Sequence, residues 1–123
     1  MPADELITTS VEYRQGVAVL GVSGEIDVNT APILDTAICE ALADRPSALV
    51  LDLSSVQFFS AAGLRVLSHS KEVGGSTRLA LVSSGGVVST VIRLIGLDAT
   101  FSLYKTVDDA LASVSKVMES RNY

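Results

Sequence analysis

The sequence predicts an α/β fold: a single domain built on one mixed, mostly parallel sheet of about five strands with about four helices. Three observations predict it. Strand-like apolar runs alternate with helix-period stripes, and strands separated by helices pair in parallel through crossovers. The run from Ala48 to Leu53 is apolar except for Asp52, as expected of a strand covered on both faces. The chain has 123 residues, 48% hydrophobic and only 5% aromatic, with no Trp. That is the length of one domain, with a core of Val, Leu, Ile and Ala.

The elements follow in order. Val11 to Tyr13 and Val17 to Val22 read as two strands, with Gln15-Gly16 as the turn between them. Asn29 or Thr30 can cap a helix that has Pro32 in its first turn, where a missing N–H is harmless. Ala31, Leu34, Ile38, Ala41 and Leu42 form its apolar stripe, and Arg45-Pro46 ends it. After the strand from Ala48, residues 54–60 read as a polar loop carrying Phe58 and Phe59. A second helix starts at Ala61, buries Ala62, Val66, Leu67, Ser70 and Val73, and stops at Gly74-Gly75. Arg78 to Val82 is a short strand, and Ser83 to Gly86 a turn. Val87, Val88, Val91, Ile92 and Ile95 mark a third helix capped by Gly96. Thr100 to Leu103 is the last strand. Thr106 and Asp109 form a capping-box pattern before a final stripe of Val107, Ala110, Leu111, Val114 and Met118. The domain is expected over residues 7–118, with tails at 1–6 and 119–123.

The formal net charge is -5. A phosphate backbone or an anionic membrane surface repels such a chain, so no nucleic acid and no membrane is expected as a partner. Residues 1–7 carry Asp4 and Glu5 with no basic start or apolar run, so no signal peptide is expected there. No stretch approaches the ~20 apolar residues of a membrane helix. Cys39 is the single cysteine and reads as a small buried hydrophobe, which fits a reducing, cytoplasmic compartment.

The residues give little support to catalysis. There is no GxxxxGK[ST] and no GxGxxG, so no nucleotide cradle or cofactor is expected. One His and one Cys do not suggest a metal cluster, so no metal is expected. Ser60, His69 and Asp27 or Asp52 could formally make a triad. However, Ser60 lacks a G-x-S-x-G elbow, and His69 lies beside Ser68 and Lys71 as a solvated side chain. The informative segment runs from Leu49 to Leu67, where a buried strand, two aromatics and the small residues Ser60, Ala61, Ala62 and Gly63 lead into a helix. Small residues there either open the helix start to a partner or let the helix pack closely on the sheet. The residues leave both readings open.

Gly24-Glu25-Ile26-Asp27, followed by Thr30-Ala31, resembles the GEID/GELD segment of the STAS family. Asp52-Leu53-Ser54, Val56, Phe58 and Gly63-Leu64 resemble its D-L-S-x-V-x-F-x-D-S-S-G-L signature. Ile95-Gly96-Leu97 with Phe101 resembles its C-terminal pattern. The resemblance implies a STAS-like fold and an anti-sigma factor antagonist. Such a domain captures an anti-sigma factor, usually a histidine-kinase-like serine kinase, and so frees a sigma factor. It further implies that the partner-binding residues are Asp27, Asn29, Thr30, Phe59, Ser60, Ala61, Ala62 and Gly63. The family's phosphoserine falls on Ala61, which has no hydroxyl. The usual switch is therefore expected to be missing, with Ser60 as a displaced acceptor at most. The alternatives are an accessory subunit docking on a transporter ATPase, a homo-oligomeric scaffold such as a homodimer, and, with least support, an enzyme.

Overall fold

The computed structural model describes residues 6–97 and 101–121, with side chains to residue 115. Among the described residues, nine elements follow one another: β1 Ile7–Arg14, β2 Val17–Ile26, α1 Ala31–Ala43, β3 Ala48–Phe59, α2 Ala61–Gly74, β4 Arg78–Val82, α3 Gly86–Leu94, β5 Ser102–Tyr104 and α4 Val107–Arg121. The five strands form one sheet in the order β1-β2-β3-β4-β5. Only β1–β2 is antiparallel; β2, β3, β4 and β5 pair in parallel. The hairpin turns through Gln15 and Gly16, both at positive φ (54° and 82°), which suits the right-handed twist of the paired strands.

Strand alternation divides the interior into two cores. Ala18, Leu20, Val22, Leu49, Leu51, Leu53 and Leu81 face α1, α2 and α3. Val17, Val19, Ala48, Val50, Ala80 and Val82 face Ala110 and Val114 of α4. This is why the run from Ala48 is apolar almost throughout: both of its faces are covered. Three successive crossovers step across the sheet in one direction, so helices of a common hand stack on one face and leave the other to α4.

Several elements differ from expectation, each for a physical reason. β1 and β2 are longer than their apolar cores. Residues 54–60 do not form a loop: β3 continues to Phe59. The register with β2 slips twice, between Gly21/Ser23 and between Gly24/Glu25, each time leaving one extra residue on β3. These two bulges change the side-chain period from two to three, so Leu53, Val56 and Phe59 all point into the core. Ser54, Ser55, Gln57 and Phe58 remain exposed. On α2, Val73 is exposed, as is Ile95 just beyond α3. Helix α4 runs to Arg121, so residues 119–121, expected in a tail, have helical backbone. Thr100, residues 1–5, residues 122–123 and the Met118 side chain lie outside what the structure describes.

Candidate functional site

The site is built where β2 and β3 end together. Ile26 pairs with Phe59, and the Ser60 N–H donates to the Ile26 carbonyl at 2.9 Å. That bond ties the start of α2 to the loop leaving β2. The loop then folds on its own polar groups. The Asp27 carboxylate accepts from the Asn29 N–H (2.9 Å) and the Thr30 N–H (3.0 Å). The Thr30 hydroxyl donates to the Glu25 carbonyl (2.8 Å) and accepts from the Asp27 N–H (2.9 Å). These N–H donors, that of Thr30 foremost, hold the Asp27 carboxyl below its ordinary pKa of 3.8. Thr30 occupies the cap position of α1, yet its hydroxyl serves the loop and makes no helix-cap bond.

Glycine permits two close approaches. Gly24 has φ 106°, and a Cβ there would lie 2.1 Å from the Leu6 carbonyl oxygen. The Glu25 N–H donates to that same oxygen at 2.9 Å. At Gly63, a Cβ would come within 2.7 Å of the Phe59 ring and 2.9 Å of Ile26. The small-residue run therefore has two uses. Gly63 lets α2 sit close on the sheet, while Ala61 faces solvent and Ala62 is half-buried. Ser60 caps α2 by accepting from the Ala62 N–H at 3.3 Å.

Of the expected contact residues, Asn29 and Ala61 are exposed, and Asp27, Ser60 and Ala62 are partly so. Three are corrected. Thr30 is fully buried, Phe59 is 5% exposed and Gly63 is buried, so they support the surface from beneath. The exposed aromatic is Phe58 (48%), because the second bulge turns Phe59 inward. Sequence reasoning missed Val28, 71% exposed at the tip of the loop. It also missed a groove of about 420 Å³ between α1 and α2, lined by Val28, Pro32, Asp35, Ala62, Arg65 and His69 among others. An apolar residue inside an otherwise polar turn, Asp27-Val28-Asn29, was the available signal for Val28.

The formal triad is not assembled. Ser60 and His69 are nine residues apart on one helix, roughly 13 Å along its axis. His69 instead meets Asp35 of α1, Nδ1 to Oδ1 at 2.9 Å. Asp52 accepts from the Ser54 N–H at 3.1 Å through its Oδ1, bracing the backbone where β3 first bulges. Among the described residues, the single His and the single Cys come together with one carboxylate: ligand atoms of Asp35, Cys39 and His69 all lie within 4.8 Å of one another. Cys39 is only partly buried; burial, then the nearby Asp35 charge, pushes its thiol pKa up.

A mixed five-stranded sheet, three helices on one face and a fourth on the other, and a loop pinned to the start of α2 define a class of small mixed-sheet α/β domain. The STAS domain model matches residues 8–110, and the chain belongs to that family. Its relatives include the anti-sigma-F factor antagonist RsfB of Mycobacterium tuberculosis, 46% identical over 115 residues, covering 93% of this chain and 94% of that protein. The crystal structure of an anti-sigma factor antagonist from Mycobacterium paratuberculosis superposes with a TM-score of 0.84 at 47% identity, covering 94% of this chain and 99% of that one. The unphosphorylated anti-sigma factor antagonist SpoIIAA shares the fold at a TM-score of 0.74 and 16% identity, over 89% of this chain and 97% of its own.

Proposed function

We propose that this chain is an anti-sigma factor antagonist that works by binding in the cytoplasm and catalyses no reaction. It captures an anti-sigma factor, of the histidine-kinase-like serine-kinase type, and thereby frees a sigma factor for transcription. The observation that carries this reading is the exposed methyl of Ala61 at the first residue of α2, beside the loop 27–29, in a chain nearly half identical to named antagonists along almost its whole length. The proposed contact surface comprises Asp27, Val28, Asn29, Ser60, Ala61 and Ala62, with Phe58 at its margin. Thr30, Phe59 and Gly63 hold it in shape.

The phosphorylation switch of the family has no acceptor here. Ala61 lacks a hydroxyl, and that of Ser60, the displaced acceptor at most, starts one residue earlier, where its oxygen accepts the Ala62 N–H. The surface therefore stays permanently neutral at this point and competent to bind, and control lies in abundance or in another signal. The two relatives near half identity are both named antagonists, which weighs against a transporter accessory subunit.

Affinity capture from native lysate tests the reading. Recovery of a kinase-like anti-sigma factor is expected, and its loss with Ala61→Glu. Recovery of a transporter ATPase instead would replace the proposal. Incubation with the captured kinase and ATP, followed by intact-mass measurement, is expected to leave the chain unmodified. Stoichiometric phosphate on Ser60 would overturn the claim that the switch is missing.

A further inference from the structure

We infer that Asp35, Cys39 and His69 form a binding site for a thiophilic divalent cation, zinc by its ligand chemistry, on the outer side of the α1–α2 pair. Their donor atoms lie within 4.8 Å of one another. Asp35 and Cys39 are four residues apart on α1, so they project from one face a turn apart. His69 reaches them from α2, so the set joins two helices across their packing seam.

Thiolate, imidazole and carboxylate are the three zinc ligand types, with bonds of roughly 2.0–2.3 Å. Around a tetrahedral ion such ligands sit roughly 3.3–3.8 Å apart. Closing the present set to that spacing takes about an ångström. The Asp35 and His69 side chains are 35% and 50% exposed, so they have room to turn. Their 2.9 Å contact already brings the two donor atoms side by side, and a slight opening makes room for an ion bound to both. A cation there takes the place of the hydrogen they share. The sulfur ligand disfavours calcium and magnesium, which select oxygen. Three protein ligands leave a fourth position open, as in zinc sites that bind water or another group. Asp35 and His69 also line the groove beside Val28 and Ala62, so a cation would change the charge at the edge of the proposed docking surface. The site itself needs no partner and stands apart from the docking proposal.

Titration of the purified chain with Co²⁺, then Zn²⁺, tests the inference. A thiolate-to-cobalt charge-transfer band with the visible bands of four-coordinate Co²⁺ is expected, saturating near one equivalent and erased by Zn²⁺. Cys39→Ser should abolish the charge-transfer band. His69→Gln and Asp35→Asn should each weaken binding at least about 10-fold. All three positions are at least partly exposed, and circular dichroism checks that the variants stay folded. Absence of the charge-transfer band would overturn the site. So would His69→Gln binding Co²⁺ as tightly as the parent chain, which would mark an isolated thiol.

Discussion

A methyl group at Gly24 would sit 2.1 Å from the Leu6 carbonyl oxygen, on a backbone already at φ 106°. Crowding thus fixes the first residue of the Gly24-to-Asp27 motif before any partner is considered. Gly24→Ala should cost more than about 3 kcal/mol, because the backbone clash adds to the strain of the positive φ, read by urea denaturation. At Gly75, where nothing approaches within 4 Å, alanine meets no clash and should cost about 1–3 kcal/mol, for the positive φ alone. Asp27 leads to an expectation about acid. Its folded pKa is depressed, so its contribution to stability is fully present above the ordinary 3.8 and is lost as pH falls through the lower folded value. Tm against pH should therefore drop less steeply in Asp27→Asn over the most acidic part of the curve. An unchanged acid limb would mean that the loop bonds contribute nothing. The motif was visible in the sequence as a likeness. Its mechanics were not, because Leu6 lies eighteen residues away and the contact depends on strand register.

At the scale of elements, the helices were legible because each carries a 3.6-residue apolar stripe, even though Val73 and Ile95 at the ends of two of them are exposed. The sequence reading started α2 at Ala61 and ended it at Gly74, where the structure has it. The second half of β3 was not legible. Two bulges give Leu53, Val56 and Phe59 a spacing of three, which fits neither a strand nor a helix, so the segment read as a loop. That same irregularity misassigned the aromatics, turning Phe59 inward and Phe58 outward. The start of α2 depends on one side chain. Ser60→Ala removes the acceptor for the Ala62 N–H and should cost about 0.5–2 kcal/mol in thermal or denaturant melts. Ser60→Asp restores an acceptor and should cost little. Equal losses in both variants would show that the cap bond is unimportant.

Across the whole molecule, the two-sided burial of the sheet was legible from the apolar runs, and the two cores follow from it. Which surfaces meet was not. The α1 stripe and the α2 stripe both face the sheet, so Asp35, Cys39 and His69 flank those stripes and come together only through helix packing. The parts converge on one end of the sheet, where the loop 27–29 is pinned to the start of α2 by the Ser60–Ile26 bond. The seat proposed for the partner is a helix start that carries no charge and, at Ala61, no hydroxyl. The most direct measurement is the affinity of the purified anti-sigma factor for the parent chain and for Ala61→Glu. A glutamate in the first turn of a helix favours the helix itself, so Tm should hold or rise slightly. An unpaired charge buried at a contact should nevertheless raise Kd about 100-fold or more, equivalent to about 2.7 kcal/mol. A Kd unchanged by Ala61→Glu would place the partner on another face and contradict the account.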